Sequence, residues 1–138
     1  MRITIAALAL LSACTAAPEP APPPISGVAV TASCGGGVTG GSQGVTITAQ
    51  DHIVRWRQPT TQAQRTETDL GADAVIAADV RHQLDAMNFA QVQHNEAGNM
   101  TCALTAGDHT VAWPQGAANA PSDVVRVHQR VFEADAGN

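Results

Sequence analysis

Lysine is absent from the 138 residues, and seven arginines stand against 12 acidic residues for a formal net charge of −5. Nucleic acid is thereby excluded as a partner, because phosphate binding needs a concentration of positive charge. The same absence removes the lysine of a phosphate-cradling glycine loop. No apolar run approaches the roughly 20 residues that a membrane-spanning helix needs. Metal-binding spacings are missing as well. The five histidines, His52, His82, His94, His109 and His128, form no H-x-x-x-H pair, and the three cysteines form no C-x-x-C pair. Neither a metal nor another cofactor is expected.

What is present first is an address. Arg2 is followed by an apolar stretch over residues 3–11, then by Ser12, Ala13 and Cys14. A positive start, a short apolar segment and small residues are the parts of an export signal. Leu11-Ser12-Ala13-Cys14 resembles the lipobox of a bacterial lipoprotein precursor. The resemblance implies cleavage between Ala13 and Cys14, a diacylglyceryl group on the Cys14 thiol and acylation of the new amino terminus. Each buried methylene is worth about 0.8 kcal/mol, so two or more chains anchor a protein where one does not. Thr15, where inner-membrane retention would favour aspartate, implies delivery to the outer membrane, with the domain facing the periplasm.

Residues 14–24 read as a tether, because Pro18, Pro20, Pro22, Pro23 and Pro24 remove backbone donors and favour extended polyproline geometry. At about 3.1 Å per residue it reaches roughly 30 Å from the membrane. Residues 25–138 then form one domain of ordinary size, with room for a single core. With Cys14 assigned to lipid, Cys34 and Cys102 remain, and the oxidising periplasm implies a disulfide between them. Each continues the apolar side of an alternating strand: Val28, Val30, Ala32 and Cys34 in one case, Met100, Cys102 and Leu104 in the other.

Within the domain, alternation predicts a strand over residues 27–33 and a glycine-rich loop over residues 35–44. A hairpin follows, with strands at residues 45–49 and 53–57 around Gln50-Asp51-His52, and with Val54 and Trp56 facing the core. A polar stretch leads to residues 72–87, where Ile76, Val80, Leu84 and Met87 recur at helical spacing and Asp79, Arg81 and Asp85 turn away. Asp69 or Asp73 can cap its start. A second hairpin joins residues 100–106 to 109–113 across Gly107-Asp108. Residues 122–133 fit either a strand or a helical arc, and Pro121 before a capping Ser122 and Asp123 favours the helix. The order βββαββα lacks repeated β-α units. It predicts an α+β domain, a mostly antiparallel sheet with two helices packed on one face.

Two motifs bear on chemistry. Gly40-Gly41-Ser42-Gln43-Gly44 matches the G-x-S-x-G nucleophile elbow, but that motif needs a strand turning sharply into a helix, whereas the strand-like Val45-Thr46-Ile47-Thr48-Ala49 follows here. Six glycines among the ten residues 35–44 make a chance match unsurprising. Arg55 and Arg57 flank Trp56, and as alternate residues of a strand they project from the same outward face, from which a guanidinium pair can grip a carboxylate or an acidic glycan. Arg55, Trp56 and Arg57 are therefore the candidate binding surface. Asn99-Met100-Thr101 matches a glycosylation sequon, which a bacterial lipobox makes irrelevant.

The element order and the Ser33-Cys34-Gly35-Gly36-Gly37 segment are similar to emfourin-like proteins, small bacterial inhibitors of thermolysin-type metalloproteases. The resemblance spans residues 27–133, and this chain departs from the family in its cysteines and lipid anchor. It implies protease inhibition but transfers no inhibitory residue. The small size, the tether and the lack of a coherent catalytic set favour a non-enzymatic, membrane-anchored domain that binds a protein or envelope component.

Overall fold

Seven residues from Val30 to Gly36 form β1, the strand around which the domain is built. The computed structural model describes residues 27–134, so the export signal, the lipobox with Cys14 and the proline tether lie outside the described residues. The remaining elements are β2 (Gly41–Ile47), β3 (His52–Gln58), β4 (Thr66–Ala72), α1 (Ala74–Ala86), a 3-10 turn (Phe89–Gln91), β5 (Met100–Ala106), β6 (His109–Pro114) and α2 (Ser122–Glu133). The strands form one six-stranded sheet in the order β4-β3-β2-β1-β5-β6, and each named strand pair is antiparallel.

The fold is the α+β arrangement expected from the pattern, with one strand more than the sequence signals. β4 is the addition, and it arises from the polar stretch after the first hairpin. As an edge strand it buries little: of Thr66, Glu67, Thr68, Asp69, Leu70, Gly71 and Ala72, only Leu70 is partly buried. Charged side chains on an exposed edge also discourage pairing with another chain.

The core is a single layer between the sheet and both helices. Val30, Ala32, Val45, Ile47, Leu104 and Val111 of the sheet meet Ala77, Val80 and Leu84 of α1 and Val124, Val127 and Val131 of α2. Helical spacing at residues 122–133 therefore reports a helix. Its start differs from the expectation, since Pro121 occupies the capping position and Ser122 is already helical, with no side-chain cap. In α1 the cap is Asp73, whose Oδ1 accepts from the Val75 and Ile76 N–H groups at 3.1 and 3.0 Å.

Arg81 corrects the outward face assigned to α1, because its side chain is buried rather than solvated. It donates to Asp51 Oδ1 at the β2–β3 turn, to the Thr48 carbonyl at 2.8 Å and to the Val28 carbonyl at 3.2 Å. A buried guanidinium is tolerable when each of its donors finds an acceptor.

The segment 35–44 is also reassigned. Only residues 37–40 turn, while Gly35 and Gly36 end β1 and Gly41 to Gly44 open β2. Gly36 shows why glycine is used: it sits at φ +125°, and a Cβ there would lie 2.3 Å from the Asn99 carbonyl oxygen. These glycines let strands and backbone approach closely, which is a packing role distinct from loop mobility.

Candidate functional site

The C-terminal end of β1, the start of β2, the end of β3 and the second half of α2 leave a cleft of about 540 Å³ between helix and sheet. That is within the roughly 300–1,000 Å³ of ordinary ligand sites. Its apolar surface comes from Phe132, Met100 and the half-buried Cys34. Its polar surface comes from Ser42, Gln43, Gln58, Gln115, Gln129 and Arg57. Among the described residues no aspartate or glutamate lines it, although the chain is acidic overall.

Arg57 is the cleft's guanidinium. It and Arg55 share a face of β3, as expected, but register reverses the relation to Trp56. Val45 and Ile47 lie opposite Arg55 and Ile53, which assigns the arginines and Ile53 to the helix-bearing face. Val54 and Trp56 therefore point to the opposite, open face, and the inward orientation predicted for them is corrected. Trp56 is nonetheless buried, because it lies over Gly44, its direct partner on β2. A Cβ on Gly44 would come within 2.6 Å of the indole, and Arg65 covers the ring from 4.1 Å. Arg55, Trp56 and Arg57 thus do not form one surface. Only Arg57 reaches the cleft.

The sequence-expected disulfide is present, joining Cys34 and Cys102, which face each other directly across β1 and β5. Beside it His128 is 7 % exposed, on the buried side of α2. Its Nε2–H donates to the Ser33 carbonyl at 3.1 Å, and its ring packs against Trp113 and Phe132 at centroid distances of 5.1 and 4.8 Å. Burial pushes the His128 imidazole below the ordinary histidine value of 6.5, with the bond to Ser33 opposing that shift. The fold therefore favours the neutral ring.

The other motifs separate in space. Ser42 sits in regular β2 strand, opposite Gly35 and Gln58, so the elbow geometry is absent there. His52 opens β3 and pairs with Asp69 at 2.9 Å on the surface. His109 opens β6 and bonds the Val92 carbonyl at 3.0 Å. The four glutamines of the cleft, Gln43, Gln58, Gln115 and Gln129, had no sequence signal, because they come from four separate elements or turns that only the fold brings together. No family model matches the chain, and no curated protein matches it.

Proposed function

We propose that this chain is a lipid-anchored protein of the bacterial cell envelope, attached through Cys14 to the outer membrane, and that its domain is a non-enzymatic binding module. The observation that carries the binding role is the cleft: one guanidinium, several amides and a hydroxyl beside an apolar wall, with no carboxylate in the lining among the described residues. Such a lining favours a protein or envelope component that presents a carboxylate with neighbouring hydrogen-bonding groups. Arg57 supplies the charge and the glutamines supply direction. Buried contact with Phe132 and Met100 adds the apolar contribution.

Two measurements test the two halves. Labelled palmitate enters the wild-type chain and fails to enter Cys14→Ala; uptake by both overturns the anchor. A photoreactive side chain at Gln129 captures a specific partner in intact cells, whereas one at Asp108, in the turn between β5 and β6, does not. Equal capture from both positions overturns the cleft as the binding site.

A second reading, inhibition of a thermolysin-type metalloprotease, is favoured by one feature. The short turn between β1 and β2 presents Val38 fully exposed, among the glycines that carry the emfourin-like resemblance. An apolar side chain on a tight turn suits insertion into a protease cleft. Dose-dependent inhibition by the full chain, lost in Val38→Asp, supports this reading; no inhibition at micromolar concentration removes it.

A further inference from the structure

The Cys34–Cys102 bond has a third donor beside it. His128 Nε2 lies 3.7 Å from Cys34 Sγ. The two sulfurs and the imidazole nitrogen all fall within 4.8 Å of one another. Two of the three residues, Cys102 and His128, are buried, while Cys34 and His128 line the cleft. Apart from its bond to the Ser33 carbonyl, the packing of His128 between Trp113 and Phe132 does not by itself call for an imidazole.

We propose that in the reduced protein Cys34, Cys102 and His128 form a site for a thiophilic divalent metal ion, Zn(II) in the first instance. Zn–S bonds of about 2.3 Å and Zn–N bonds of about 2.0 Å at tetrahedral angles separate a sulfur and a nitrogen by roughly 3.5 Å. The present separation of 3.7 Å matches that spacing. The two sulfurs must move apart once their bond is broken, which side-chain rotation supplies because the cysteines remain opposed in the β1–β5 register. Two thiolates and one imidazole leave a fourth position open. It faces the cleft, where a water or a ligand donor completes the coordination. The site does not depend on the binding role proposed above.

The chemistry balances with an external dithiol as reductant. Its thiolate attacks Cys34 Sγ from the cleft, the disulfide breaks with the electron pair on Cys102, and the second thiol of the reductant resolves the mixed bond. The reductant leaves as its own disulfide, and its two protons end on Cys34 and Cys102. Zn(II) then replaces those two protons. His128 contributes the Nε2 lone pair after its ring proton moves to Nδ1 and the bond to the Ser33 carbonyl is released. Disulfide and metal are therefore mutually exclusive states of one pair.

The test uses the full chain carrying Cys14→Ser, which removes the third cysteine. It is reduced with a phosphine under anaerobic conditions and titrated with Zn(II) against a competing chelator, and with Co(II) for its thiolate charge-transfer absorption. The expected result is one equivalent bound by the reduced chain with release of about two protons, and no binding by the oxidised chain. His128→Gln should weaken the reduced site roughly tenfold or more, the least that loss of a ligand or its support costs, while the exposed His82→Gln leaves it unchanged. Equal affinity in the oxidised chain overturns the proposal. So does unchanged affinity in His128→Gln, which is also the outcome if the cysteines of an unfolded reduced chain hold the ion alone.

Discussion

Arg81 in the middle of α1 is ion-paired with Asp51 at the tip of the β2–β3 hairpin, and this contact is one of those that tie the helix to the sheet. Asp51 holds three other relationships at once. It sits at φ 66°, its N–H donates to the Thr48 carbonyl at 3.0 Å, and its carbonyl accepts from the N–H of Asp73, the α1 cap, at 2.9 Å.

Asp51→Asn keeps a residue that tolerates the left-handed backbone and removes the charge, so it should cost about 1–2 kcal/mol, near the worth of a hydrogen bond to a charged group. Asp51→Ala adds backbone strain and should cost about 1–2 kcal/mol more. Denaturant midpoints of the two variants and of Arg81→Met check this, and a double-mutant cycle showing no coupling between positions 51 and 81 would refute it.

Gly44 should resist even the smallest enlargement. A Cβ there meets the Ala32 carbonyl oxygen at 2.5 Å and the Trp56 indole at 2.6 Å. Gly44→Ala is expected to lose about 1–3 kcal/mol through overpacking. Pairing it with Trp56→Leu should recover part of that loss, measured by thermal unfolding.

His128 makes stability fall with acid. Its folded-state value lies below 6.5, so the fold favours the neutral ring. The contribution is fully present above the unfolded value and is lost as pH falls below 6.5 toward the folded value. His128→Gln should flatten stability in that window. Asp69 acts lower down: the Gly71 N–H first, and His52 second, hold its carboxyl below 3.8, so its contribution disappears only as pH falls beneath that point. Urea titrations at closely spaced pH values resolve the two windows.

Replacing both Cys34 and Cys102 with serine should reduce stability by up to about 4 kcal/mol, the loop-closure figure for a separation of 68 residues. A change below about 1 kcal/mol would mean that the β1–β5 ladder already restricts the unfolded chain.

Arg57→Ala should leave folding within about 0.5 kcal/mol, as for an exposed residue whose side chain has no hydrogen-bond or ion-pair partner shown among the described residues. Partner capture from Gln129 should nevertheless fall. Loss of capture with a matching loss of stability would assign Arg57 to the fold instead.

Elements with a clean period were legible in the sequence. Val124, Val127 and Val131 repeat on one side of α2, and the Gly107 turn takes φ 61° as its glycine invites. β4 was not legible, since Thr-Glu-Thr-Asp has no apolar alternation and its strand state comes from pairing with β3. The orientation of β3 was ambiguous because Ile53 and Val54 are both apolar. Trp56 then misled, since it is buried on the open face by the missing side chain of Gly44, a partner 12 positions away. Arg81 misled for the same reason, its acceptors lying in the entry to β1 and the β2–β3 turn, remote in sequence. Of the candidate surface Arg55, Trp56 and Arg57, alternation gave the shared face of the two arginines, but only tertiary packing showed that one of them borders the cleft.

The direction of β1 gives the domain two poles. The chain enters through Val28 and Ala29, beside the β5–β6 turn, where the Gly107 N–H bonds the Ala29 carbonyl at 3.2 Å. The cleft opens at the far end of the same strand, where Cys34 and Gly36 line it. Seven strand residues at about 3.3 Å each separate the two ends by roughly 20 Å. The chain therefore enters the described domain at the pole opposite the cleft. Under the proposed anchor, the tether would join the domain at the pole away from the cleft, which leaves the cleft clear of the attachment point.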